Sequence, residues 1–398
     1  MKILISGGGI GGLTAALCFL HHGADVTVLE QAPELGEIGA GIQIPPNAMK
    51  VFAALGLDAA LAETAFRPQA LEARMGRSGL ELFHIPLADH AVKRWGAPYL
   101  HIHRADYIAV LAQALQTQSP NALHLNTEVA GYSQTEDAVE VQLADGRRIS
   151  GDALIGADGI HSPVRAQMLG AEKPIFTGNI AWRAVVPMAA LGAHAPRPTA
   201  CAWMGPGKHC VTYRVRRGTL ANFVGVVERD DWTTESWNER GTREEALADF
   251  EGWHPTITRL LGEADVLYRW ALFDRAPLPR WVDGRVAILG DAAHPMLPFM
   301  AQGAAMAVED AWVVAREVMQ KTDVARGLEA YQHGRRARAT RVQAGSRANA
   351  KTFHKRTRFG QLATYGPMWL AGKFAPMAVH KRQDPLYGYD VTRLNRRG

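Results

Sequence analysis

Lys2-Ile3-Leu4-Ile5-Ser6-Gly7-Gly8-Gly9-Ile10-Gly11-Gly12-Leu13 opens the chain, and Asp25-Val26-Thr27-Val28-Leu29-Glu30 follows after one helix-length of apolar sequence. Residues 2 to 6 read as a short buried strand. Gly11 to His22 carry a helical apolar pattern that stops at Gly23, a residue suited to ending helices, and residues 25 to 29 supply a second strand. Strand, helix and strand make a βαβ unit with an expected right-handed crossover. Gly7-x-Gly9-x-x-Gly12 falls in the turn between strand and helix, and Glu30 ends the second strand. Glycines there allow a tight turn and close backbone approach, the helix N-terminus faces a pyrophosphate, and the acid accepts hydrogen bonds from ribose hydroxyls. The unit reads as dinucleotide-binding, with a glycine turn that serves packing alone as the alternative. Glu30 repels a ribose 2′-phosphate, which disfavours NADP as the resident nucleotide. NAD and FAD are not separated by this motif.

Beyond this unit, helices are expected at Asn47 to Leu55 and Asp106 to Thr117, the second with Ile108, Leu111, Ala112 and Leu115 on one face. Runs near 123 to 129 and 139 to 143, with the turn Asp145-Gly146, suggest a hairpin region, and Ala153 to Gly156 a further strand. From about residue 174 to 230 the pattern shifts to β-branched and aromatic alternation, as a mostly antiparallel sheet requires. Arg285 to Leu289 returns the chain to the first lobe; helices rich in Ala and Arg follow, with a Pro/Gly-punctuated tail after Gly366.

A length of 398 residues exceeds what one core organises, so two lobes are expected. Hydrophobic residues at 47% and charged residues at 21% exclude a disordered or fibrous chain. The net charge of +5 is small and concentrated after Arg335, which argues against a nucleic-acid partner. Cys18, Cys201 and Cys210 show no metal-ligand spacing and no paired framework, so neither a metal nor a disulfide is expected. A strand that starts at Lys2 leaves no room for a signal peptide, and no run is long enough to span a membrane; the expected location is cytoplasmic.

Later segments favour FAD. Gly290-Asp291-Ala292-Ala293-His294-Pro295 ends a strand, and Gln302-Gly303-Ala304-Ala305-Met306 opens a long helix. Free amides and the positive dipole end of such a helix suit the anion of a reduced flavin, although a capped helix packed on the sheet gives the same pattern.

The opening turn with Glu30, the segment Gly156-Ala157-Asp158-Gly159-Ile160-His161-Ser162-Pro163-Val164-Arg165, and Gly290 to Pro295 together resemble the three fingerprints of single-component FAD-dependent aromatic hydroxylases. Their order matches over essentially the whole chain, through Leu386-Tyr387-Gly388-Tyr389-Asp390. Met300-Ala301-Gln302-Gly303-Ala304 and Glu309-Asp310-Ala311 are most similar to the branch with salicylate hydroxylase, 3-hydroxybenzoate 6-hydroxylase and 6-hydroxynicotinate 3-monooxygenase.

The resemblance implies an α/β fold, with a Rossmann-like FAD-binding lobe (1–72, 101–172, 281–320), an interleaved, mostly antiparallel substrate lobe (73–100, 173–280) and a C-terminal helical segment (321–398). It also assigns the cofactor contacts. Arg104 meets the FAD pyrophosphate region, Asp291 the ribityl and phosphate portion, Gly303 and Ala304 the isoalloxazine, and Gln43 and Val129 touch the cofactor; Gly7, Gly9, Gly11, Gly12, Glu30, Gln31 and Asp158 complete the set. Two of these have structural alternatives: Asp158 as a helix cap, and Arg104 as a surface residue at a helix start.

His209 and Tyr213 lie four apart on an expected strand and so share a face. A His and a Tyr at this spacing line the substrate pocket in the similar branch. They are the expected catalytic pair, binding the carboxylate or phenol and helping to deprotonate the ring hydroxyl; a satisfied core pair is the alternative. Gln43, Pro298 and Phe299 complete the substrate set. The loop at Pro298-Phe299 is apolar where some relatives carry Gln or His, and Gln43 stands where the hydroxynicotinate enzyme has a His, which argues against a pyridine substrate.

The implied chemistry is reduction of FAD by NADH or NADPH, addition of O2 at the flavin C4a carbon, and passage of a hydroxyl from the hydroperoxide to an activated phenolate in a small aromatic acid. With one glycine fingerprint, the reductant is expected to visit a shared cleft. A monomer or homodimer is expected. The rivals are a flavin reductase or dehydrogenase on the same fold, an N-heteroaromatic hydroxylase, and a flavin-loaded redox sensor.

Overall fold

The computed structural model describes residues 1–36, 40–171, 174–229 and 239–393. The expected boundary between residues 172 and 173 lies outside them.

The opening unit forms as its sequence dictates. Strand Lys2–Ser6 is buried from Ile3 onward, and helix Ile10–His21 hides Leu13, Leu17 and Phe19 completely. Gly23, at φ 86°, ends the helix: its N–H donates to Leu20 O, and that of Ala24 to Phe19 O. Lys2–Ser6 pairs in parallel with Asp25–Leu29 on one side and Ala153–Gly156 on the other. The six-stranded sheet runs Val282–Asp283, Val286–Ile288, Ala153–Gly156, Lys2–Ser6, Asp25–Leu29, Leu123–His124, parallel except for its first strand. Helices Ile10–His21 and Gly303–Gln320 pack together over this sheet, and Leu13, Ile155, Ile288 and Val308 share its core.

A second sheet has eight strands in the order Glu239–Gly241, Leu267–Asp274, Ile175–Pro187, Leu220–Glu228, Lys208–Val215, Ala200–Gly205, Ala70–Met75, Glu81–Pro86. Its pairs are antiparallel except Ala200–Gly205 with Ala70–Met75. One face carries Trp182, Cys210 and Phe223 into a core covered by helices Arg243–Asp249 and Pro255–Gly262 and by Trp253 between them. Strand alternation sends His209 and Tyr213 to the other face, where Val226 joins Leu297 and Phe299. That face meets the loop leading into helix Gly303–Gln320.

Two local expectations are corrected. Residues 123 and 124 extend the parallel sheet beside Val28 and Leu29, while the hairpin pairs Val129–Gln134 with Val139–Leu143, and Asp145-Gly146 turns into a third strand, Arg148–Gly151. The tail after Gly366 is largely helical: Arg358–Phe374 continues through Pro367 and is followed by Pro376–Lys381. A proline inside a helix removes one backbone bond; here the helix lies against Glu81–Pro86, so closely that a Cβ on Gly372 would meet Leu82 O at 2.4 Å. Tertiary packing overrides the local signal.

Candidate active site

At the C-terminal ends of the parallel strands the backbone turns away in four places, and these turns enclose a cleft of about 470 Å3. Gly7 and Gly9 follow the first strand, Glu30 and Gln31 the second; Asp158 and Gly159 come after Ala153–Gly156, and Gly290 and Asp291 after Val286–Ile288. Such an edge is where open α/β sheets bind ligands. Gly11, Arg104, Val129, Gly303 and Ala304 also line it, so eleven of the residues expected at the cofactor lie on one surface. Gly12 and Gln43 do not line it.

Gly12 has another task. A Cβ there would fall 1.9 Å from Gly7 O, so it lets the helix pack onto the first turn. Gly7 itself sits at φ 103°, with Ala157 O 2.5 Å from where a Cβ would be. Gly9 faces open space and presents bare backbone to the cleft at the start of helix Ile10–His21. Glu30 is fixed by two backbone donors, Gly8 N at 2.5 Å and Ala32 N at 2.8 Å, which leaves lone pairs on both carboxylate oxygens. Bare glycine backbone, a helix start and a fixed acid, all on one open cleft, fit a pyrophosphate-linked dinucleotide such as FAD.

Asp158 stands where both expected readings would have it. It lines the cleft, and its Oδ2 accepts from Val164 N at 3.3 Å in the first turn of helix Pro163–Leu169. Burial pushes its carboxyl above the usual range. Arg165, from the same helix, donates to Ala292 O at 3.2 Å and Ile160 O at 2.5 Å, clasping the Asp158 turn to the Gly290 turn. Asp291 opens onto the cleft yet sits deep among packed atoms; that depth raises its carboxyl, against the opposing charges of His294, Arg104 and Arg165.

Below the last turn lies a buried charge network that sequence reasoning missed. Asp310 accepts from Gly290 N at 3.2 Å, contacts His294 Nε2 at 2.5 Å and receives Arg335 Nε at 2.8 Å. Glu309 accepts from Arg335 at 2.6 Å, Arg338 at 2.7 Å and Asn47 at 2.7 Å, and Asn47 also donates to Gln302, which precedes helix Gly303–Gln320, at 3.1 Å. Burial alone would raise Asp310, but His294 and Arg335 outweigh it and hold the carboxyl at about 2. The signal was available: two adjacent acids inside an apolar helix demand buried cations.

The expected substrate residues do not line this cleft; they stand, mostly buried, as a wall beside it, behind Ile42 and the turn before Gly303. Ile42 lines the cleft, and Gln43, next in strand Gly41–Ile44, points the other way and accepts from Tyr99 Oη at 2.5 Å. The Tyr213 ring lies 4.8 Å from that of His101, and a Cβ on Gly41 would strike it at 2.5 Å. His209 is only 2% exposed, with its ring 5.1 Å from Phe299 and 4.8 Å from His354. Phe299 is buried and Pro298 exposed, on the turn that precedes Gly303. Burial pushes the Tyr213 phenol up, partly offset by Arg183, and pushes His209 well down, helped by His354. Tyr213 is therefore a protonated donor and His209 a neutral imidazole. Tyr99, His101 and His354 were not singled out from the sequence; no spacing rule marks them.

The chain matches the model of the FAD binding domain family over residues 1–346. It is 40% identical over 346 residues to 3-hydroxybenzoate 6-hydroxylase 1 of Aquipseudomonas alcaligenes, covering 87% of this chain and 88% of that one. To the 6-hydroxynicotinate 3-monooxygenase of Bordetella bronchiseptica it is 37% identical over 353 residues, covering 87% and 91%. Among solved structures, Klebsiella pneumoniae HpxO complexed with FAD and uric acid superposes with a TM-score of 0.82 at 29% identity, covering 93% of this chain and 92% of that one. No helix among the described residues is long and apolar enough to cross a membrane. The chain belongs to the FAD binding domain family and is, within it, an FAD-dependent aromatic monooxygenase.

Proposed function

We propose that the protein uses NADH or NADPH and O2 to hydroxylate a small phenolic aromatic acid of the salicylate or hydroxybenzoate kind. The observation that carries this reading is the juxtaposition of the FAD cleft with a wall of His209, Tyr213 and Phe299, joined through the loop 298–304. The relatives' names support the substrate class: one names a hydroxybenzoate and the other a hydroxynicotinate, each a ring with a hydroxyl and a carboxyl group.

Bound and reduced FAD supplies the activation of O2. The chain's own groups do the rest. Of the residues that line the cleft, Gly7, Gly9, Gly11 and Arg104 would hold the pyrophosphate region, Glu30 and Gln31 the ribose end, Asp158, Val129 and Asp291 the middle of the cofactor, and Gly303 and Ala304 the ring. Gly12 acts by shaping the turn. Tyr213 donates to a substrate oxygen, and His209 receives the proton of the ring hydroxyl, which raises electron density at the carbon to be attacked. Phe299 and Pro298 close the wall against water, and Gln43 orients the ring from the opposite strand. The division into a FAD lobe (1–72, 101–172, 281–320), a substrate lobe (73–100, 173–280) and C-terminal helices, a cytoplasmic location, and a monomer or homodimer complete the proposal.

The test is NADH consumption and hydrogen peroxide release by the yellow holoenzyme, with salicylate, 3-hydroxybenzoate, 4-hydroxybenzoate and 6-hydroxynicotinate added singly. The expected result is stimulation by one benzoate with little peroxide. Stimulation by 6-hydroxynicotinate alone would move the substrate class to N-heteroaromatics, and NADH consumption indifferent to all four would favour a reductase.

A further inference from the structure

His209 does not end the polar chain that begins at the wall. Its Nδ1 lies 2.6 Å from Nε2 of His354, whose Nδ1 lies 3.0 Å from Glu228 Oε1. Arg356 donates to the other oxygen of Glu228 at 2.7 Å, and its side chain is 72% exposed. The three groups come from different elements: His209 from strand Lys208–Val215, Glu228 from the end of the neighbouring strand Leu220–Glu228, and His354 from the cap of helix Val324–Phe353. The His209 and His354 side chains are almost fully enclosed, and Glu228 is partly open to solvent. A line of hydrogen-bonding groups thus runs from the buried wall to the surface.

We propose that His209, His354 and Glu228 form a proton wire that carries the proton of the substrate's ring hydroxyl out to solvent. The proposal rests on the aromatic-acid reading above. Its direction follows from hydrogen-bond chemistry. A carboxylate only accepts, so His354 must present Nδ1–H to Glu228. Its Nε2 is then a lone pair, and the 2.6 Å contact requires His209 to donate from Nδ1. One acid at the far end thereby fixes both tautomers and leaves Nε2 of His209 as the base. When Nε2 takes the phenol proton, the proton on Nδ1 passes to His354 Nε2, and that on His354 Nδ1 passes to Glu228 and on to water. One O–H bond breaks, the phenolate keeps its electron pair, and one proton leaves.

The surroundings favour neutral rings in this chain. Phe299 and Phe353 face His209; Glu228 and Arg356 are the charged groups facing His354. Burial lowers both imidazoles, in His354 against the pull of Glu228. His354 and Glu228 act through His209 and are positioning residues.

Two measurements on the FAD-loaded protein test the wire. Nitrogen-15 NMR of histidine-labelled protein, without substrate, should show both His209 and His354 protonated at Nδ1 and bare at Nε2. In Glu228→Gln this fixed pattern should be lost while FAD stays bound. In turnover with the stimulating hydroxybenzoate, Glu228→Gln and His354→Gln should each lower kcat roughly tenfold or more with little change in KM, and added imidazole should restore part of the Glu228→Gln loss. Protonated Nε2 on His209, or a Glu228→Gln variant with unchanged kcat and pH profile, overturns the wire while leaving the hydroxylase reading in place. A wild-type protein that no acid stimulates overturns the reading, and the wire's cargo with it, whatever the NMR shows.

Discussion

The glycine-turn end of the cleft and the His209 wall are neighbours built in opposite ways. At the first, backbone does most of the work: Gly7, Gly9 and Gly12 shape one turn, and the carboxylate of Glu30 reaches back only 22 residues to Gly8. At the second, side chains from distant segments meet: His209 and His354 are 145 residues apart, and Tyr99 and Gln43 are 56 apart. A site made of local backbone is written in spacing, whereas a site made of converging side chains exists only once the fold has formed.

The largest effect is expected beneath the cleft, where both constructions depend on the same buried charges. Arg335→Met leaves Glu309 and Asp310 short of their central cation in a region with no exposure, and breaking such a pair costs about 3–5 kcal/mol. Thermal unfolding should show a large loss of Tm, together with loss of bound flavin. A Tm near wild type would mean that His294, Arg338 and Asn47 suffice.

The two glycines of the turn should separate shape from contact. Gly12→Ala places a methyl 1.9 Å from Gly7 O and should lower both stability and FAD retention. Gly9→Ala meets nothing within 4 Å in the protein, so its apo stability should match wild type and only FAD affinity should fall. Equal behaviour of the two variants, measured by unfolding and flavin titration, would contradict the assignment of separate tasks.

At the wall, Tyr213→Phe should keep FAD bound while impairing hydroxylation, read as product formed per NADH consumed. Unchanged coupling and turnover would remove Tyr213 from the catalytic set.

A separate effect comes with pH. Burial holds His101 at about 3 and lowers His209 and His354, so all three resist protonation when folded. The unfolded chain, with ordinary imidazoles, takes up protons first, so stability should be full above about pH 6.5 and fall as pH drops below it. The depressed Asp310 carboxyl adds a separate loss between about pH 4 and about 2. A Tm unchanged between pH 7 and pH 5 would mean that the histidines gain partners when protonated.

Much of the cofactor end was legible beforehand. The βαβ unit, its glycines, Glu30, Asp158 and Asp291 could be placed because each marks where a strand stops and the backbone must turn, and Gly303 because a long helix starts there; their roles toward the cofactor came from the family resemblance. The His209 and Tyr213 pairing was legible too, since strand alternation fixes a shared face. What could not be read was their company. His354 is one more polar residue at the end of an Arg-rich helix, and nothing local distinguishes it. Glu228 looks like a strand terminus. Likewise, the helix through Pro367 ran against its local signal because contact with strand Glu81–Pro86 decides there. Gln43 shows the limit of position alone: one strand step from the cleft-lining Ile42, it belongs to the Tyr99 side instead.

The central claim is that the cleft and the wall make one oxygen-inserting site. The most direct test is turnover of the stimulating hydroxybenzoate with NADH under 18O2, followed by mass spectrometry of the product. The account predicts one labelled oxygen on the ring, in step with NADH consumed. Product without label, or NADH oxidation that yields only hydrogen peroxide, would contradict it.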